Sequence, residues 1–236
     1  MMLKEVLPHP PVLVSGMEDW FSWRNSATST PGFFSASRTW TSLQPSGTVV
    51  PWVKSVWFSN SIPKHSFIHW VVMRDRLPTR DRLRGWGLNV PPVCLLCQSA
   101  PESRAHLFFG CPFSNQVWSS FFYHPSLHPP RCLDDIVGWV TNASPLLKLK
   151  VVCKMLLQAS IYFVWKERNA RLHTAVTKTP AQIIRDVHSI LRSRLAGLDR
   201  SNTRSDLLAA QPNNTLCSTY LSVWFGFIHF GNSPAP

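Results

Sequence analysis

Acidic residues are scarce in this chain. Twelve Asp and Glu stand against 24 Lys and Arg, for a formal net charge of +12. So few carboxylates, scattered along the sequence, form no group of four around a pair of metal ions, which excludes two-metal hydrolysis. The one Asp-Asp pair, Asp134-Asp135, lies in "LDDIVGWV", a helical pattern rather than the turn between two strands that a polymerase centre needs. Long apolar runs are missing too. The N-terminal "MMLKEVLPHPPVLVSGMEDW" has no continuous hydrophobic stretch of the secretory kind. The most apolar segment, "LCSTYLSVWFGFIHF", is shorter than the roughly 20 residues a membrane helix requires. It reads as an interfacial segment or as sequence never selected to fold, with a buried strand pair as the remaining option. No membrane partner is expected, and the setting is intracellular, nucleus or cytoplasm. Disulfides are therefore not expected, and cysteines point to metal or to packing. Glycine is also sparse, 10 against 20 prolines. The prolines gather at both ends, at Pro91-Pro92 and from Pro125 to Pro130, and these clusters mark the joints. No internal repeat is visible.

What is present is aromatic and basic. Eleven tryptophans and fourteen phenylalanines argue for a packed core over most of the length. A fold does not need an excess of twelve positive charges, whereas an anionic partner does, and nucleic acid is the commonest one. Arg74, Arg76, Arg80, Arg82 and Arg84 crowd one junction, opposed only by Asp75 and Asp81. With Trp86 as a ring on which a base can stack, they are the candidate nucleic-acid contacts.

Helical signals dominate the periodicity. Pro63 can open a helix on which Phe67, Trp70 and Val71 form an apolar stripe. Thr79 suits the N-cap of a short helix that Gly85 ends. Pro112 can open another. "LLKLKVVCKMLLQASIYFVWKERNARLH" is the strongest pattern, with Val152, Met155, Leu156 and Ala159 on its apolar face and lysines and arginines on the other. Thr179-Pro180 begins a further helix whose periodicity fades after about Asp199. Helices are expected near 64–75, 112–122, 146–172 and 180–195. The stretch from Trp20 to Phe34 is hairpin-like, and Ser35 to Leu43 suits a short helix.

The densest chemistry is "CLLCQSAPESRAHLFFGC", spaced C-x2-C-x8-H-x4-C from Cys94 to Cys111. A C-x2-C pair folds into a turn that aims both sulfurs at one point, and His106 and Cys111 can return from one helical turn followed by a break. Four such donors and no spare position describe a structural Zn2+ site. A redox pair would need a strand before Cys94 and a helix after Cys97, and prolines and "QSAPES" stand there instead. Few apolar residues precede Leu107 in this loop, so its order is expected to come from metal rather than burial, independently of the distant helix from Leu146. Cys132, Cys153 and Cys217 have no partner spacing. His65 and His69, at i, i+4, read as a satisfied or exposed pair rather than a second metal site.

With "VWFSNSIPKHSFIHWVVMRDRLPTRDRLRGWG" upstream and "HLFFGCPFSNQVWSSFF" downstream, this stretch resembles the zinc-binding domain that follows the reverse transcriptase in plant LINE-type (non-LTR) retrotransposons. The resemblance rests on Trp57-Phe58, "PKHSFIHW", "RLPTRDRL", the C-x2-C, Glu102-Ser103, "HLFFGC" and Val117-Trp118, and extends to "IYFVWKERNARLH". It implies a zinc knuckle with Cys94, Cys97, His106 and Cys111 as ligands, working beside RNA- and DNA-handling machinery.

The expected fold is mainly α with a small β-hairpin at the zinc knuckle and a helical C-terminal extension. The expected segments are a poorly ordered N-terminus (1–18), the zinc-binding domain (19–124), a linker with a short helix (125–145), the helical extension (146–199) and a poorly ordered tail (200–236). The expected function is that of an accessory module binding RNA or DNA with low specificity. It is expected to be a non-catalytic fragment of a polyprotein whose reverse transcriptase or RNase H domain lies elsewhere. The alternative is a zinc-stabilised protein–protein interaction module with no nucleic-acid binding of its own.

Overall fold

A computed structural model describes residues 16, 23–24, 28, 30–43, 50–174, 176–208 and 218–228. The chain divides into two compact units, 1–49 and 50–236. In the first, Trp23 and Gly32 form an antiparallel bridge through two backbone hydrogen bonds, and helix α1 spans Ala36–Leu43. The Trp23 indole donates to Thr39 Oγ1 and meets the Phe34 ring edge-on. Trp20 and Phe21, assigned to the same hairpin by the sequence pattern, lie outside the described residues.

The second unit is helical: α2 (Val53–Val56), α3 (Pro63–Met73), α4 (Arg80–Gly85), α5 (Pro112–Ser119), α6 (Leu133–Asn142), α7 (Leu147–His173), α8 (Pro180–Leu208) and α9 (Tyr220–Phe227). Pro63 and Pro112 occupy first turns, where the missing N–H costs no hydrogen bond. Helix α7 runs through the middle of the core, and α3, α5, α6, α8 and α9 all pack against it. Fourteen of its 27 residues are buried, so only a narrow strip meets solvent. Among the described residues no helix is long and apolar enough to cross a membrane.

The structure departs from the sequence expectation at several elements. The hairpin at the knuckle is a single antiparallel bridge, Val93 with Pro101. Pro91, Pro92 and Pro101 lack the N–H groups that a longer ladder requires. Helix α8 continues past Asp199 to Leu208. The apolar C-terminal stretch is neither strand nor unfolded at its centre. It forms α9, which buries Tyr220, Val223 and Trp224 against α8 and α7. Asp199 on α8 caps it, accepting from the Tyr220 and Leu221 amides at 2.7 and 3.0 Å. Thr79 starts α4 but its hydroxyl makes no cap bond.

The buried face of α3 also differs from its apolar stripe. His65, Ser66, His69 and Val72 point inward, while Phe67 and Trp70 face solvent, 55% and 36% exposed. The polar inner face is recruited by α7. Buried Gln158 accepts from Ser66 Oγ at 3.2 Å and donates to the carbonyls of Ser55 and Val56 at 3.0 and 2.8 Å. His65 stacks on Tyr162, ring centroids 4.4 Å apart.

The His65 and His69 rings are buried with no hydrogen-bond partner on either nitrogen. They are thus neither a satisfied nor an exposed pair. Burial, helped at His65 by Lys64, holds His65 down to about 4 and His69 down to about 3. In the unfolded chain both titrate near 6.5, so below that pH the unfolded state binds more protons. Their contribution to stability is complete above about pH 6.5. It is lost as pH falls towards the folded values, with a slope of roughly 1.4 kcal/mol per pH unit for each histidine. Unfolding free energies measured from about pH 7 to pH 4 should show a shallower decline in a His65→Phe/His69→Leu protein than in wild type. Equal slopes would exclude these rings as the acid-sensitive groups.

Candidate metal centre

The site is assembled by two tight chain reversals. In the first, the Gln98 amide donates to the Cys94 carbonyl at 2.9 Å and the Cys94 amide to Ala100 O at 2.8 Å. Gln98 takes a positive φ of 55° to complete the turn, and the Leu96 N–H points at Cys94 Sγ, 3.4 Å away. The second reversal is a wide five-residue turn, His106–Gly110, leading to Cys111 at the mouth of α5. Phe109 adopts φ 77°, a conformation costly for a bulky side chain. Helix α5 over-determines it. The Phe109 amide donates to Ser114 Oγ at 3.0 Å, and Asn115 Nδ2 donates to the Phe109 carbonyl at 3.2 Å.

Gly110 is required by the same turn. A Cβ there would lie 2.8 Å from the Ala105 carbonyl oxygen, a backbone atom that cannot swing away. Gly110→Ala is expected to destabilise by about 1–3 kcal/mol, the usual cost of overpacking. It should also weaken zinc retention by displacing Cys111 from His106. Denaturant unfolding together with a chelator competition checks both, and a wild-type result in each would remove Gly110 from the account.

The result is convergence. The donor atoms of Cys94, Cys97, His106 and Cys111 all lie within 4.8 Å of one another, with Cys97 Sγ 3.3 Å from His106 Nε2. Zn–S and Zn–N bonds of about 2.3 and 2.0 Å place neighbouring donors of a tetrahedron about 3.4–3.8 Å apart. The widest gap here closes with a shift of about 1 Å, so the four residues fit zinc. Cys94 and Cys111 are fully buried and Cys97 and His106 half-buried, so the site opens on one side only. The sulfurs already share protons. The Cys111 thiol donates to Cys94, which lowers the Cys94 thiol to about 5 despite its burial and pushes Cys111 up. At Cys97, burial opposes but hydrogen bonds from Ser99 and the neighbouring ligands prevail, and its thiol is lowered. The other cysteines stand apart. Cys132 is exposed, Cys153 is buried in α7 with its thiol raised to about 12, and Cys217 lies outside the described residues.

The loop is held by burial and by α7 as well as by its cysteines, contrary to the expectation from its composition. Leu96, Leu107, Phe108 and Phe109 are buried in the core. Arg168 of α7, 2% exposed, grips fully buried Glu102 with Nη2 to Oε1 at 2.8 Å and Nε to Oε1 at 3.1 Å. Glu102 also accepts from the Arg80 and Leu95 amides at 3.0 and 3.3 Å, joining α4 and the C-x2-C turn. One turn further along α7, Arg171 Nη1 donates to the carbonyls of Leu95 and Leu96 at 3.2 and 2.8 Å. Those two residues are the span between Cys94 and Cys97. Glu102 and "KERNAR" carried family resemblance in the sequence, but nothing in their spacing announced that they meet.

The candidate nucleic-acid residues are not brought together as one free surface. Arg74, Arg76 and Arg84 are exposed, and Trp86 is 58% exposed. Arg80 is half-buried, its guanidinium donating to the Val93 carbonyl. Arg82 pairs with Asp75 at 3.6 Å and lies over the Trp86 ring. Arg104, which the sequence did not single out, shares Asp75 and also pairs with Asp134 at 3.2 Å.

Comparison with known proteins agrees with this geometry. Residues 34–118 match the family model described as zinc-binding in reverse transcriptase, and the four converging donors all fall inside that span. The family so described is an accessory zinc-binding domain, distinct from the catalytic polymerase domain. The match ends within α5, so α6 to α9, including both arginines that grip the knuckle, lie beyond it. No curated protein and no solved structure matches the chain.

Proposed function

We propose that this chain is a non-catalytic accessory module that works beside a reverse transcriptase or RNase H domain of a plant LINE-type polyprotein. In this reading Cys94, Cys97, His106 and Cys111 hold one structural Zn2+, and the basic surface holds RNA or DNA with little sequence preference. The observation that carries it is the convergence of four zinc-type donors within 4.8 Å, inside the segment that matches a zinc-binding domain of reverse transcriptases. Four protein donors leave no position for water or substrate, so the ion's chemistry is cross-linking rather than Lewis-acid catalysis. It ties the C-x2-C turn to the first turn of α5. A net charge of +12 supplies the attraction for phosphates, which is weakened by salt.

The experiment is metal analysis of purified protein together with a salt titration of its binding to labelled RNA and DNA. One zinc per chain and binding that declines as salt rises are expected. Purified protein that holds no zinc, or that binds neither nucleic acid at low salt, would overturn the corresponding half. The alternative, a protein-docking module, is favoured by one observation. Phe67 and Trp70 lie side by side on the solvent face of α3, ring centroids 5.9 Å apart. Exposed aromatic pairs of this kind suit a protein interface, and this reading gains if nucleic acid fails to bind.

A further inference from the structure

The strip of α7 left open to solvent carries Lys150 and Lys154, one helical turn apart and so about 6 Å along the axis. Helix α2 brings a third lysine to them. Gln158, one turn beyond Lys154, clamps the Ser55 and Val56 carbonyls and so fixes the register of α2 on α7. Lys54, exposed on α2, is thereby held close enough for its charge, with that of Lys150, to act on Lys154. Burial together with these two like charges lowers the Lys154 ammonium below its ordinary value.

Among the described residues none of the three lysines is in an ion pair; the carboxylates that do pair serve Arg82, Arg104, Arg168, Arg171 and Lys178. Two aromatic residues directly follow α2. Lys154 Nζ lies 5.5 Å above the Phe58 ring, and Trp57, which follows α2, is 49% exposed. Repelling cations held together without counter-charge leave an unfavourable field that an anion relieves.

We propose that Lys54, Lys150 and Lys154, with Trp57 one helical turn on from Lys54, form the principal phosphate-contacting surface of this protein, and that its occupant is single-stranded nucleic acid. Lysine is a flexible point charge suited to following a phosphate backbone without reading sequence. The exposed indole offers the stacking face that a single strand's bases, unlike a duplex or an acidic peptide, can use. The arginine junction is the weaker candidate, because Arg80 and Arg82 already hold the knuckle and Asp75. This inference rests on the nucleic-acid reading above and locates its surface.

The test compares Lys54→Gln/Lys150→Gln/Lys154→Gln with Arg74→Gln/Arg76→Gln/Arg84→Gln in the full chain. Binding of a short labelled single-stranded RNA is followed by anisotropy across a salt series. Each lost single-strand phosphate contact reduces the slope of log K against log salt by ~0.7, so the lysine variant is expected to lose about 2 units of slope. The arginine variant is expected to lose less. A Lys→Arg triple should retain the slope, and Trp57→Ala should weaken binding without changing it. The lysine variant should also melt no lower than wild type at low salt, because its substitutions relieve repulsion. Wild-type binding with an unchanged slope in the lysine variant would overturn this surface and leave the proposed function standing. Absence of any nucleic-acid binding by wild type would overturn that function itself. Capture of polyglutamate in preference to RNA would overturn the choice of occupant.

Discussion

A Cys97→Ser protein is expected to lose its equivalent of zinc and to be cut by protease between Gln98 and Arg104. Zinc binding is worth on the order of 10 kcal/mol in isolated knuckle-sized peptides, and a hydroxyl does not replace a thiolate as a ligand. The structure changes how far the damage should travel. Composition alone suggests a loop ordered by metal, with the helix from Leu146 untouched by its loss. In the fold, Cys94, Leu96, Leu107, Phe108 and Phe109 are core residues, and α7 reaches the turn through Arg168 and Arg171. Loosening the knuckle therefore removes packing from α5 and α7 too, and the melting temperature of the whole 50–236 unit should fall along with the local protection. A chelator should reproduce both effects in wild type. Affinity should also drop as pH falls below neutral, because the ligands must lose protons to bind. A Cys97→Ser protein that keeps a full equivalent of zinc and an uncut loop would show that these cysteines are only buried.

The second large effect is expected at Arg168→Met. Glu102 is fully buried, and removing its partner leaves a carboxylate whose desolvation nothing but two backbone amides offsets. Breaking one side of a buried ion pair costs about 3–5 kcal/mol. Removing both sides with matched apolar or neutral groups costs far less. Arg168→Met should thus be strongly destabilising in denaturant unfolding, and Arg168→Met/Glu102→Gln should recover much of the loss. Zinc retention supplies a second readout. Glu102 holds the Leu95 amide inside the C-x2-C turn, so the single variant should release zinc to a chelator faster although no ligand has changed. Unchanged stability and unchanged release would mean that the knuckle stands without α7. A protein truncated after residue 118, where the family match ends, lacks Arg168 and Arg171 and is expected to hold zinc less tightly than the full chain.

The sequence by itself determined what depends on local chemistry. Spacing placed the four zinc donors, because a C-x2-C turn and a short return to His106 and Cys111 are built within eighteen consecutive residues. Proline position gave the starts of α3 and α5, and an unbroken 3.6-residue pattern gave α7 to within a residue at each end. Tertiary structure decided everything that depends on a distant partner. The α3 stripe of Phe67 and Trp70 has helical period, yet His65 and His69 are buried instead, because Gln158 and Tyr162 on α7 select the opposite face. The apolar C-terminal stretch lacks a helical stripe, yet α9 forms because Asp199 caps it and α8 and α7 cover it. The arginine run looked like one cationic surface, but Val93 and Asp75 engage two of its members. Lys54, Lys150 and Lys154 come from helices about a hundred positions apart, so only the packing of α2 on α7 brings them near one another. Periodicity and spacing record local geometry, whereas burial and electrostatic pairing are decided by whichever residues the fold brings alongside.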